Sequence, residues 1–209
     1  MTHVEPNGSR SRVARVYDRV ARIYDVYTAP MDWTGLAGRR QRVLGRARGD
    51  VLEVGAGTGR SFRHYPPGVR VVATELSPRM LARARRRLPE ADVPIDLEVA
   101  DVQDLPFEDR SFDTAVASCV FCSVEDPVRG LSELGRVVKA DGAILLLEHV
   151  RPRGAVPGWL ADVASVVTRR AFGFNANRRT EGNVLAAGLD IEDMRRDGIW
   201  REIVARPRR

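Results

Sequence analysis

The sequence predicts an α/β protein with a doubly wound, mostly parallel seven-stranded sheet whose last strand runs antiparallel. Three observations carry this. Seven short apolar runs are interleaved with helical patterns between residues 51 and 205, the signature of a parallel sheet flanked by helices. Residues 51–60 read Val-Leu-Glu-Val-Gly-Ala-Gly-Thr-Gly-Arg, an apolar run entering a three-glycine turn. Asp197-Gly198, between the last two apolar runs, is a hairpin signal that reverses the final strand.

In chain order, a polar tail over residues 1–10 leads into an expected amphipathic helix over 11–27. Val13, Val16, Tyr17, Val20, Tyr24 and Tyr27 recur on one face, with Arg12, Arg15, Arg19 and Arg22 on the face beside it. Pro30, Gly35 and Gly38 punctuate the chain before a second helical stretch ending near Gly49. Residues 1–48 are thus read as tail and lid helices, and 49–209 as the main domain, one structural domain overall. Strands are expected at 51–54, 69–74, 95–99, 113–118, 143–148, 189–195 and 199–205, each a short apolar run. Helices are expected at about 59–65, 78–88, 127–139, 156–172 and 178–187, the second opened by Ser77-Pro78 as cap and first turn.

The glycine turn carries the first functional signal. Gly55, Gly57 and Gly59 allow a sharp strand-to-helix reversal and close approach of backbone N–H groups to a ligand. A dinucleotide fingerprint would place the third glycine at position 60, which is Arg60, so the spacing departs from NAD binding. Glu53 precedes the turn, and Glu75 closes the second strand, where a carboxylate accepts both hydroxyls of a ribose.

Composition bounds the rest. A chain of 209 residues with 44% hydrophobic and 30% charged residues has the make-up of a soluble globular domain. No apolar run approaches the roughly 20 residues of a membrane span, and the N-terminus has no apolar signal core. The expectation is a cytoplasmic protein, peripheral on the inner face of the membrane if its basic helix binds lipid. Net charge is +6, and every basic residue except Lys139 is arginine. Such a surface suits anionic partners, and equally a solvated surface with none. Cys119 and Cys122 fit a reducing compartment. They lack the further ligands a zinc site needs, so they are read as core or pocket-wall thiols and no metal is expected.

With the acids, the glycines and the alternation in place, the chain resembles the class I S-adenosylmethionine-dependent methyltransferases, whose fold is Rossmann-like, over nearly its whole length. The resemblance implies that Glu53, Gly55, Ala56, Gly57, Thr58 and Gly59 wrap the methionine part of S-adenosylmethionine. Glu75, with Leu76, then holds the ribose, Asp101 and Val102 meet the adenine, and Ser118 completes the cofactor set. Leu105-Pro106-Phe107, Ser111-Phe112-Asp113 and Leu134 to Gly142 follow the small-molecule and lipid branch, although Ala140-Asp141 departs from the usual Pro-Gly. Tyr17-Asp18, Ile23-Tyr24-Asp25, Pro66 and Glu148-His149-Val150 look like bacterial phospholipid N-methyltransferases and the ubiquinone and menaquinone C-methyltransferases. Val120 to Val124 with Phe174-Asn175-Ala176-Asn177 is similar to membrane-associated thiol methyltransferases. Ser118-Cys119-Val120-Phe121 stands where nucleic-acid amino-methyltransferases carry Pro-Pro-aromatic, which disfavours nucleic acid.

The expected function is therefore methylation of a lipid headgroup amine of the phosphatidylethanolamine type at an anionic membrane surface, where the Arg-rich face of the first helix is either the membrane contact or equally the solvated outside of a lid helix. The alternatives are a quinone C-methyltransferase or a small-thiol methyltransferase, and, from another class, an NAD(P)-dependent oxidoreductase. The product would be S-adenosylhomocysteine, and the acceptor a lipid or small hydrophobic molecule. Candidate catalytic residues are His149, Tyr24 and Tyr17. His149 offers a general base or an acceptor-orienting group, or equally a structural hydrogen bond. The two tyrosines either close over the reacting groups or pack the core. Trp159, Leu160, Val163 and Val167 form a second apolar stripe that walls the acceptor pocket, touches lipid or simply packs.

Overall fold

The computed structural model describes residues 12–31, 35–152, 175 and 177–208, with positions 154, 159, 162, 163, 165 and 168 between them. One sheet holds β1 (Asp50–Val54), β2 (Arg70–Thr74), β3 (Ile95–Glu98), β4 (Phe112–Ser118), β5 (Val138–His149), β6 (Leu189–Asp197) and β7 (Trp200–Pro207). Their order is β3-β2-β1-β4-β5-β7-β6. β1 to β5 pair in parallel, and β7 runs antiparallel to both β5 and β6, as the hairpin signal at Asp197-Gly198 requires. Gly198 takes the left-handed conformation that this two-residue reversal needs.

Strand periodicity divides the interior into two cores. Leu52, Val54, Ala115, Ala117, Ile144 and Leu146 point to one face of the sheet, and Val51, Val116, Leu145 and Leu147 to the other. α4 (Pro127–Val137) and α5 (Thr180–Ala186) cover the first face with Leu131, Leu134, Val137 and Val184. α2 (Ala37–Leu44) covers the second with Val43 and Leu44, and Ala84 joins it from α3 (Pro78–Ala84). α1 (Arg12–Met31) packs on α3 across the top of the sheet. Local chemistry sets the helix starts. Ser77 Oγ caps α3 by accepting from Met80 N at 3.2 Å, and Asp126 caps α4 by accepting from Arg129 N at 3.0 Å, each followed by proline in the first turn.

Several boundaries differ from expectation. The helix expected at 59–65 is only a 3-10 turn at Phe62–His64, squeezed between the glycine turn and Pro66-Pro67. The helix expected to 88 stops at Ala84 and tightens into 3-10 turns over Arg85–Glu90, because Pro89 has no N–H for an α-helical bond. α4 ends at Val137 rather than 139, since Val138 already pairs with Phe112 and opens β5 before a register shift. α2 ends at Leu44, well short of Gly49. The helix expected over 156–172 falls largely outside the described residues. So do Leu160 and Val167 of its stripe, and Phe174 and Ala176. Trp159 and Val163 are described and exposed.

The chain runs outward from β1 to β2 and β3, then returns to β4 on the other side of β1. That reversal opens a crevice at the carboxyl ends of β1 and β4, the place where such sheets bind ligands.

Candidate functional site

A cleft lies at this crevice. Glu53, Gly55, Ala56, Gly57, Thr58, Glu75, Leu76, Asp101, Val102 and Ser118 line it, with Tyr17 and Tyr24 reaching in from α1. Gly59 and His149 are not among the lining residues. Gly55, Gly57 and Gly59 all have positive φ. A Cβ at Gly55 would come within 2.7 Å of Val120, so the loop after β4 closes directly over the turn. A Cβ at Gly57 would meet nothing nearer than Met80 at 3.9 Å, so its backbone faces open space while its left-handed φ of 59° still demands glycine.

The acids behind this turn are buried. Burial pushes the Glu53 carboxyl up to about 6, against the opposing bonds from Ser61 and Tyr65 and the nearby Arg40 charge. Tyr65 Oη donates to Glu53 at 2.9 Å, and Ser61 Oγ donates to its other oxygen. Glu75 accepts from Gly57 N and Ser77 N, both at 2.9 Å, so this acid fixes the glycine turn and the α3 N-terminus together. Asp101 accepts from Gln103 N at 2.9 Å, and Gln103 in turn accepts from Asp126 N, tying the loop after β3 to the start of α4.

α1 forms the roof. The Tyr17 hydroxyl is 2.6 Å from Ser123 Oγ, and its ring centroid is 6.1 Å from that of Tyr24. Two acids two helical turns apart fasten the helix to the cofactor-side loops. Asp18 accepts from Ser77 Oγ at 2.6 Å. Asp25 accepts from Thr58 Oγ1 at 2.7 Å and from Arg87 at 3.1 Å, with Arg60 at 3.4 Å and Arg83 at 3.7 Å. On the far side of the helix, Arg12, Arg15, Arg19 and Arg22 are exposed. Ile23 and Val26 are exposed as well, at 56% and 74%.

The loop after β4 is held from beneath. Cys119 adopts a φ of 60°, unusual for a residue with a Cβ, and lines the cleft. Glu148 is fully buried and accepts from Val120 N at 2.8 Å and Phe121 N at 3.1 Å. Burial raises its carboxyl to about 7 despite those bonds. Asn175 and Arg178 donate to the carbonyls of Cys122 and Val124, which brings the two motifs at 120–124 and 174–177 together.

His149 lies elsewhere. It sits opposite Trp200 in the β5–β7 pairing, with the rings 6.2 Å apart and edge to face, and burial lowers its pKa. Sequence reasoning missed Arg40, which enters the cleft from α2, and gave no role to Asp18, Asp25, Ser123 or Glu148. Asp18 and Asp25 carried a signal in their seven-residue spacing on one helix face, while Glu148 and Ser123 stood inside motifs quoted for the resemblance without a role of their own. Among the described residues, no cluster of His, Cys, Asp and Glu is arranged to hold a metal ion.

A left-handed glycine turn between two buried acids, at the switch point of a parallel sheet, defines a nucleoside-cofactor site on a Rossmann-like domain. Comparison with known proteins sharpens the class. Residues 52–146 match the methyltransferase domain family. The chain is 38% identical over 140 residues to the phosphatidylethanolamine N-methyltransferase of Cereibacter sphaeroides, covering 66% of this chain and 68% of that one. It is 32% identical over 158 residues to the demethylmenaquinone methyltransferase of Chlorobaculum tepidum, covering 71% of this chain and 64% of that one, less than two thirds of its length. Among solved structures, an S-adenosylmethionine-dependent methyltransferase of Thermotoga maritima superposes with a TM-score of 0.70 at 20% identity, over 93% of this chain and 99% of that one. The [4+2]-cyclase SpnF superposes with a TM-score of 0.73 at 18% identity, over 97% and 98%. These two show the fold alone. The chain belongs to the S-adenosylmethionine-dependent methyltransferase family, and its cofactor is S-adenosylmethionine.

Proposed function

We propose that this protein methylates the headgroup amine of a phosphatidylethanolamine-type lipid at an anionic membrane surface. The observation that carries the reading is the two-sided character of α1. Its inner face lines the cleft with Tyr17 and Tyr24, while its outer face presents four exposed arginines, Ile23 and Val26. A basic helix with exposed apolar side chains suits the interface of an anionic bilayer. The Cereibacter relative, named for the same reaction, supports it.

In this reading Glu75, with Leu76, takes the ribose, Asp101 and Val102 flank the adenine, and the segment Glu53 to Gly59 holds the methionine part beside Ser118. S-adenosylmethionine supplies an electrophilic methyl on a sulfonium, a good leaving group. The residues around it then have to position the acceptor and exclude water, which supplies on the order of 7–11 kcal/mol in favourable cases. An amine attacks only once deprotonated, and Tyr17 and Tyr24, which line the cleft, would give that proton a path through their hydroxyls. His149, packed on Trp200, contributes to the sheet rather than to this path. The second reading, C-methylation of a quinone, is favoured by the relatives named for menaquinone and ubiquinone methylation.

The test uses the purified protein, methyl-labelled S-adenosylmethionine and vesicles of phosphatidylethanolamine with or without phosphatidylglycerol. Label entering the headgroup, with tighter binding to the anionic vesicles, is expected. No label in phospholipid and no vesicle preference would remove the lipid reading, and label entering a demethylated quinone would replace it with the second.

A further inference from the structure

We propose that Glu125 binds the ammonium of the acceptor headgroup, in a groove that leads out of the donor cleft toward the positive charge of Arg12, where the headgroup phosphate lies. The inference rests on the headgroup-amine reading above and deepens it by naming a residue for each charge of an ethanolamine phosphate. The groove runs between the first turn of α1 and the loop after β4, and it shares Val13, Ser123, Val124 and Glu125 with the wall of the donor cleft. Tyr17, on the cleft side only, is hydrogen-bonded to Ser123, which borders both spaces.

The acids that line the cleft fall into two sets. Glu53 accepts from Ser61 and Tyr65, Glu75 from Gly57 and Ser77, and Asp101 from Gln103, so each of the three is engaged within the fold. Glu125 is exposed and accepts no hydrogen bond from any described residue. It directly precedes Asp126, whose side chain caps α4 and whose N–H is held by Gln103, so its backbone is fixed while its carboxylate is left to a ligand. Arg12 lines the groove but not the cleft, and it too is exposed. Arg178 stands in the same outer wall, its guanidinium fastened to the Val124 carbonyl, and adds a fixed charge there.

On the way out of the cleft the lining therefore turns from negative to positive. An ethanolamine phosphate has the same order read from its tip. The amine that must reach the methyl group goes in first, and the phosphate follows two carbons behind. A carboxylate and a guanidinium form charge-assisted hydrogen bonds with those two groups respectively. A quinone carries neither charge and would gain nothing from either residue.

The experiment follows labelled methyl from S-adenosylmethionine into phosphatidylethanolamine in neutral mixed micelles, where an anionic surface plays no part. Wild type, Glu125→Gln, Glu125→Asp and Arg12→Gln are compared, with S-adenosylhomocysteine affinity measured beside turnover by calorimetry. Glu125→Gln removes the charge at constant shape and should raise KM for the lipid about three- to tenfold, the scale of one partly exposed charge-assisted bond. Its affinity for S-adenosylhomocysteine should stay within about twofold. Glu125→Asp keeps the charge at shorter reach, so its KM should lie between those two. Arg12→Gln should raise KM by about two- to threefold, since it removes one exposed cation from a wall that keeps another. An unchanged KM in Glu125→Gln, or a matching loss of S-adenosylhomocysteine affinity, overturns the groove and leaves the headgroup reading standing. An unchanged KM in Arg12→Gln overturns the phosphate half. A wild type that labels a demethylated quinone and no phosphatidylethanolamine overturns the headgroup reading itself, and the groove with it.

Discussion

Glu148 shows how one side chain shapes the site without lining it. The carboxyl is fully buried at the end of β5 and accepts two backbone N–H groups from the loop that closes over Gly55. Burial raises its pKa from 4.5 to about 7, so between those values the folded protein holds a proton that the unfolded chain has released. Stability contributed by this group is therefore present below the unfolded pKa and lost as pH rises through about 7, at a scale of roughly 3 kcal/mol. Glu148→Gln keeps the shape and a carbonyl acceptor but cannot ionise. Its denaturant midpoint should fall less than that of the wild type between pH 5 and 8, and parallel curves would refute the assignment. Glu53 adds a smaller loss of the same sign up to about pH 6, which the comparison cancels because both proteins carry it. Sequence reading found Glu53 and Glu75 because the glycine turn points at them. The roles of Glu148 and Arg40 were illegible, although Glu148 stood in a quoted tripeptide, since what matters about each is a partner 27 to 78 residues away.

At the level of elements, α1 is an amphipathic helix whose two functions follow from its two faces. Its valines, tyrosines and arginines were readable by periodicity, and the structure extends the helix to Met31. What periodicity did not show is the pair of acidic fasteners, because aspartates in a helical repeat usually read as solvated. Burial pushes the Asp25 carboxyl up, but the bonds from Thr58 and Arg87 and the charge of Arg60 outweigh it and hold it below the ordinary range. The latch is therefore intact above the unfolded carboxylate value and is lost as pH falls through the lowered one. Asp25→Ala should loosen the roof while the sheet stays folded. Trypsin should then cut at Arg15, Arg19 or Arg22 at least several-fold faster, and S-adenosylhomocysteine affinity should drop by about three- to tenfold. Unchanged cleavage would mean that α1 is held by its apolar face alone. The 3-10 turns that replace one expected helix and the end of another teach a related lesson: Pro66-Pro67 and Pro89 were visible, yet where a helix gives way before a proline depends on packing.

At the level of the whole molecule, the parallel sheet places residues from four separate strand ends around one crevice, and that arrangement makes a ligand a global stabiliser. S-adenosylhomocysteine at about a hundred times its dissociation constant should contribute about 2.7 kcal/mol. For a chain of this length the melting temperature should then rise by roughly 5 to 10 °C. NADPH at the same concentration should give no shift, and a shift with NADPH alone would contradict the cofactor. The sequence by itself determined the alternation of strands and helices, the hairpin at Asp197-Gly198, the glycine turn and the acids at its two flanks, because each depends on residues close together in the chain. Only the tertiary structure decided that β4 returns beside β1, that His149 faces Trp200, and that Arg40, Asp25 and Glu148 converge on the cleft and its loops. Those are pairings between distant segments. Their free energy comes from burial and hydrogen bonds that exist only once the sheet has formed, so no local pattern records them.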